Sequence, residues 1–160
     1  MPAYRRLYVP GGTYFFTVNL ADRSRRLLVD HVAALRQSWR DVERDHAFST
    51  LAAVVLPDHL HVIWTLPPDD ADFSTRLRLL KSGFTRRLRA SGVIARHEKI
   101  WQNRFWEHAI RDDRDLENHI NYVHFNPVKH GHVAEISDWP HSTWKRYHTP
   151  TEEMRDVPNS

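Results

Sequence analysis

Two apolar runs, Phe48 to Leu56 and His59 to Leu66, stand almost back to back, with only Pro57-Asp58 between them. Both are rich in the β-branched and aromatic residues that suit strands. Proline has no N–H to give to a ladder, so the break between the runs is sharp. The two runs are therefore expected to be strands, paired antiparallel across a tight turn. That hairpin limits what the rest of the chain can be. Other elements must extend its sheet or cover its faces.

The flanking pattern supplies both. Gly11-Gly12 is a turn signal leading into Thr13 to Leu20, another aromatic and β-branched run that reads as a strand. Val32, Leu35, Trp39 and Val42 recur at helical spacing, which predicts a helix from about Asp30 to Asp45 with Asp30 as its N-cap. Pro67-Pro68-Asp69-Asp70 ends the hairpin. Phe73, Leu77, Leu80, Phe84 and Leu88 then form the clearest helical stripe, with Arg78, Ser82, Arg86 and Arg89 opposite and Ser91-Gly92 as the stop. Glu107 to Arg111 reads as a fourth strand approached by Trp101 to Trp106. Asp112 or Asp113 caps a last helix whose apolar side includes Leu116, Ile120 and Val123. Pro127 is expected to end or sharply kink that helix near Asn126, and Gly131 closes a final turn.

The order is β-α-β-β-α-β and then a helix. The fold class is α+β, a ferredoxin-like split β-α-β sandwich with an antiparallel sheet and an extra C-terminal helix carrying Tyr122. Residues 1–149 read as one domain, and 150–160 as a polar tail expected to be poorly ordered.

The hairpin also carries chemistry. Side chains alternate along a strand, so His59 and His61 point to one face and Leu60, Val62 and Trp64 to the other. Ile63 and Thr65 extend the histidine face. Two imidazoles one strand repeat apart can reach one divalent ion, or can be hydrogen-bonded core residues beside a turn. Tyr122 and Asn126 are four residues apart and share a helix face, with His119 one turn before Tyr122. The plain alternative is a half-buried tyrosine and an asparagine near a helix end. A phenol is a weak nucleophile near neutrality, since it titrates at about 10. It needs a base, a nearby charge, or a metal that activates the phosphate it attacks. A phosphotyrosine keeps the ester bond energy, so a free 3′-hydroxyl can reverse the step. Such chemistry suits strand transfer better than hydrolysis.

Composition narrows the class. With 160 residues, 41% of them hydrophobic and 27% charged, the chain is long enough for a real core. No apolar run approaches the roughly 20 residues of a membrane helix. The absence of cysteine excludes disulfides and thiolate metal sites and suits a cytoplasmic protein. A net charge of +3 and a pI of about 9.4 lean toward anionic partners. Arg76, Arg78, Lys81, Arg86, Arg87 and Arg89 make the second long helix basic. They form a solvated face or a phosphate-tracking one. Near the N-terminus, Tyr4, Arg5, Arg6 and Tyr8 mix aromatic and basic groups that suit unpaired bases and phosphates. Of the six tryptophans, Trp39 and Trp64 fit core positions, and most of Trp101, Trp106, Trp139 and Trp144 are expected there too.

Pro57-Asp58-His59-Leu60-His61-Val62-Ile63-Trp64 resembles the HUH motif of histidine, bulky apolar residue and histidine. Trp101 to His108 and Tyr122-Val123-His124-Phe125-Asn126-Pro127-Val128-Lys129-His130-Gly131 resemble the REP-associated tyrosine transposases, bacterial single-tyrosine relatives of insertion-sequence transposases. Tyr4-Arg5-Arg6, Gly11 to Thr17 and Ser137-Asp138-Trp139-Pro140 extend the likeness over nearly the whole chain. The resemblance implies Tyr122 as nucleophile, and His59, His61 and Asn126 as ligands of a divalent ion, magnesium or manganese. It implies single-stranded DNA hairpins from repetitive extragenic palindromes as substrate, cleaved through a 5′-phosphotyrosine, with Tyr4, Arg5, Arg6, Arg78, Lys81 and Arg86 as candidate DNA contacts. A bacterial, nucleoid-associated protein acting as a monomer is expected, although dimers occur among relatives. Two other readings remain: a catalytically inactive module that binds hairpins, and a histidine-metal hydrolase of small phosphoesters. No further ligand cluster of familiar spacing supports the last.

Overall fold

The computed structural model describes residues 6–148, so the candidates Tyr4 and Arg5 and the expected tail at 150–160 lie outside the described residues. Strand β1 spans Thr13–Asn19, β2 Ser49–Val55, β3 His59–Thr65 and β4 Trp106–Ala109. They form one antiparallel sheet in the order β2-β3-β1-β4. The helices are α1 (Leu27–Asp30), α2 (Val32–Asp45), α3 (Phe73–Ala90), α4 (Asp113–Lys129) and α5 (Trp144–His148), with a 3₁₀ turn at Ile136–Asp138. The expected hairpin is β2 and β3, joined at Pro57-Asp58. The order and pairing are those of the ferredoxin-like split β-α-β sandwich.

Alternation divides the sheet. Tyr14, Phe16, Val18, Leu60, Val62 and Trp64 face one way and are buried against Leu35 and Val42 of α2 and Phe73, Leu77, Leu80, Phe84 and Leu88 of α3. Each such side chain contributes roughly 1.5–3 kcal/mol on full burial. Gly83 lets α3 lie close on α2, since a Cβ there would stand 3.3 Å from the Ser38 side chain. On the other face a smaller cluster of Phe15, Ala52, Val54, Leu56 and Ile63 packs under Val123, Leu116 and Ile120 of α4. The free edge of β2 is blunted by the chain after Trp139. Val55 N–H donates to His141 O at 2.8 Å and Thr143 N–H to Ala53 O at 2.9 Å.

Four expectations need correction. Asp30 is not the cap of the first long helix: it ends the short α1, and α2 begins after His31. The fourth strand lies earlier than Glu107 to Arg111, at Trp106–Ala109. Pro127 does not end α4, which runs on to Lys129 and is closed by Gly131 at φ 74°. A proline removes one helical N–H but does not forbid a further turn when that turn is held by packing, and Pro127 is buried. Arg76 belongs to the interior and not to the basic face. It is 3% exposed and donates to Asp70, to Asp72 O and to the carbonyls of His46 and Ala47.

Candidate active site

β3 presents His59 and His61 on the sheet face that α4 partly covers. Both are buried, with ring centroids 4.9 Å apart and planes at 81°. Their Nδ1 atoms are engaged. His59 Nδ1 lies 2.8 Å from Asp58 Oδ1, and His61 Nδ1 lies 2.7 Å from Thr17 Oγ1 on β1. A carboxylate only accepts, so His59 carries its proton on Nδ1 and keeps a lone pair on Nε2. With Nδ1 donating to Thr17, His61 does the same. Arg23 pairs with Asp58 and fixes it in turn. Burial lowers the pKa of both imidazoles, that of His61 to about 3, against the opposing pull of Asp58 on His59. Neutral imidazoles are the metal-binding form.

α4 meets this face along one stripe. The Tyr122 ring stands edge-on to His61 at 5.3 Å and to Phe15 at 5.9 Å. Two turns on, His130 stands edge-on to His59 at 5.2 Å. Asn126 falls between them on the helical repeat. It is 0% exposed, and neither its Oδ1 nor its Nδ2 has a hydrogen-bond partner. An unsatisfied buried amide is costly, and an ion held with the two histidines would take up its oxygen. The residues therefore fit a divalent ion. Two imidazoles and an amide oxygen leave positions open for phosphate oxygens, and the two nitrogens favour manganese over magnesium. Lys129, 4.9 Å above the Tyr122 ring, adds a positive charge. Tyr122 itself is 38% exposed, so an incoming strand can reach it.

Residues 12–126 match the transposase family described as IS200-like. Over 146 residues the chain is 51% identical to the REP-associated tyrosine transposase of Escherichia coli strain K12, covering 91% of this chain and 84% of that one. The chain belongs to the REP-associated tyrosine transposases. A solved structure of the REP-associated tyrosine transposase bound to a REP hairpin superposes with a TM-score of 0.85 at 48% identity, covering 94% of this chain and 87% of that one. A Deinococcus radiodurans crystal structure shares the fold at TM-score 0.52 and 20% identity, covering 76% and 97% of the two chains.

The other candidates of this family member are scattered. Arg78 and Arg86 are exposed on α3. Arg78 and Lys81 line a groove of about 530 Å³ with Arg89, Lys99 and Trp101, on the layer opposite the histidines. Lys81 donates to Gln102 O at 2.9 Å, and burial lowers its pKa. Arg6 is held by Glu107 and lies 3.9 Å over the Phe105 ring. Of the four tryptophans expected to be mostly core, only Trp101 is buried: Trp139 and Trp144 are half-buried and Trp106 is 54% exposed. It pairs with Thr17, which also pairs with His61, so all three point to one face. Sequence reasoning also missed Lys129 and His130, although the spacing from Tyr122 to His130 was there to be read. It missed a cluster of His108, Asp115 and His119, whose ligating atoms lie within 4.8 Å of one another. Among the described residues no helix is long and apolar enough to cross a membrane.

Proposed function

We propose that this transposase is a metal-dependent endonuclease and strand transferase for single-stranded DNA bearing REP hairpins, with Tyr122 as nucleophile. The observation that carries the reading is the contact of the Tyr122 ring with His61, 61 residues away in sequence, over a buried histidine pair. The relative solved with a REP hairpin supports hairpin DNA as the partner.

His59 Nε2, His61 Nε2 and the Asn126 oxygen would hold the ion, magnesium or manganese. When bound, the ion supplies Lewis-acid polarisation of the scissile phosphate. Asp58 and Thr17 keep the two imidazoles in the required tautomer and orientation. The Tyr122 oxygen gives up its proton and bonds to phosphorus. The bond from phosphorus to the 3′-oxygen breaks, and that oxygen leaves as a hydroxyl once protonated. The product is a 5′-phosphotyrosine, which a 3′-hydroxyl can attack in reverse. Lys129, 4.9 Å over the Tyr122 ring, would bring its charge to the phosphate that Tyr122 attacks. Arg78, Lys81 and Arg86 track phosphates of the same DNA farther off.

The test is incubation with manganese or magnesium and end-labelled hairpin oligonucleotides, resolved on a denaturing protein gel. The native chain should give a labelled band at protein mass, and Tyr122→Phe should lose it while still binding the hairpin. A band that persists in Tyr122→Phe overturns the assignment of the nucleophile. Binding by the native chain with no band under either metal makes the protein a hairpin-binding module.

A further inference from the structure

The described residues hold a second group of metal-ligating side chains, away from His59 and His61. His108 stands on β4 opposite Phe15, and Asp115 and His119 lie one turn apart on α4. His108 Nε2 is 2.8 Å from Asp115 Oδ2. His119 Nδ1 donates to the Asp115 carbonyl oxygen at 2.8 Å, with Oδ1 3.2 Å away, which leaves its lone pair on Nε2. The two imidazoles stack at 4.7 Å with planes 16° apart. Asp115 is buried and the histidine side chains are about a quarter exposed, so the cluster opens to solvent on one side. We propose that His108, Asp115 and His119 form a second divalent-cation site that takes zinc or an ion of similar preference.

Two observations support it besides the clustering. Ligands on one tetrahedral zinc stand about 3.4 Å apart, given metal–ligand distances near 2.1 Å, and the ligating atoms here lie within 4.8 Å of one another, so the stacked imidazoles would turn toward the ion to share it. The carboxylate is also braced as metal-ligating carboxylates usually are, accepting the Arg111 N–H at 2.9 Å. Finally, two imidazoles and one carboxylate are the donor set of open zinc and iron sites, with positions left for water. The Asp115 carboxyl is already ionised. Burial works against this, but the Arg111 N–H and His108 bring its pKa to about 2. Entry of the ion displaces any proton shared between His108 and Asp115, so binding releases it to solvent. The ion would tie β4 to α4 one turn before Tyr122. Phe15 links the two places, lying 5.0 Å from His119 and 5.9 Å from Tyr122. The site does not depend on the cleavage reading.

The test uses the full chain, stripped with chelator and titrated with zinc by calorimetry and with cobalt by visible absorption. Three variants run alongside: His108→Ala with His119→Ala, Asp115→Asn, and His59→Ala with His61→Ala. The native chain should bind two equivalents. The first two variants should bind one and lose the zinc-dependent rise in melting temperature that this cluster confers. The third should keep that rise. Asp115→Asn preserves shape, so it decides the matter if the double alanine variant fails to fold. A native chain that binds one equivalent, lost only in the His59/His61 variant, overturns the proposal. So does binding of two equivalents by Asp115→Asn. Loss at His59 and His61 bears on the cleavage site alone, so the two readings fail separately.

Discussion

Asn126 is where stability and the proposed metal role pull apart most plainly. Its amide is fully buried with both polar atoms unpartnered. Without an ion, that arrangement is worse than an apolar side chain of the same size. Asn126→Leu should therefore raise unfolding free energy in chelator by about 1–3 kcal/mol, read from urea melts, and should lower manganese-dependent cleavage at least tenfold. A variant that is destabilised, or that cleaves normally, would show that the amide is structural. His124 makes a different point. It is buried beside Thr143, 2.9 Å away, and burial, helped by His148, brings its pKa to about 4. An unfolded imidazole titrates near 6.5. As pH falls below that, the unfolded chain takes the proton first, so stability present above about 6.5 is lost down to about 4. Asp70 and Asp115, with pKa values near 2, do not titrate in this window. His124→Gln should therefore lose roughly 2 kcal/mol less than the native chain between pH 7 and pH 5. Equal losses would exclude His124 as a source.

Helix α3 shows how one element can carry residues of one type and two roles. Arg76 falls three residues after Phe73 and four before Leu80, on the apolar stripe, and it is buried where it ties α3 to the chain entering β2. Removing it leaves several carbonyls and Asp70 without their donor, so Arg76→Ala should cost about 3 kcal/mol with no change in the salt dependence of DNA binding. Arg78, Arg86 and Arg89 are exposed on the other side. Their joint replacement by alanine should leave urea stability within about 0.5 kcal/mol and flatten the salt dependence of hairpin affinity. An unchanged salt slope would remove α3 from the DNA surface. The stripe that located α3 was legible because apolar spacing reports which side is inside. It does not report that a charged residue on that side has found enough acceptors to stay there. The same limit explains Asp30, a good capping residue that the chain passes by, and Pro127, whose effect on α4 depends on packing. The cluster of His108, Asp115 and His119 was illegible for another reason. It exists only once β4 has taken its register beside β1, and four residues carry too little pattern to predict that register.

At the scale of the molecule, the two sheet faces have different jobs. One is closed by α2 and α3 and carries most of the large buried side chains. The other is covered by α4 over β2 and β3 but leaves Thr17 and Trp106 near the β4 edge. The histidine face was readable from the hairpin alone, because alternation on β3 needs no partner. That Trp106 shares this face was not, since it depends on both neighbours of β1. By register Trp106 stands two strand spacings from His61, about 10 Å away on the same sheet face, and 54% of its surface is exposed. Under the proposed function a base of the flanking strand would stack on its exposed part, a contact worth about 1–3 kcal/mol. Trp106→Ala should then weaken binding of a hairpin with its single-stranded flank by about 5- to 150-fold, read by fluorescence anisotropy. Binding of a hairpin lacking the flank should not change, and neither should the urea midpoint. Trp64→Ala, on the closed face and fully buried, should instead cost about 3–5 kcal/mol. If Trp106→Ala lost stability like Trp64→Ala and kept its affinity, the indole would be part of the packing, and the open face would have to read DNA through its polar groups alone.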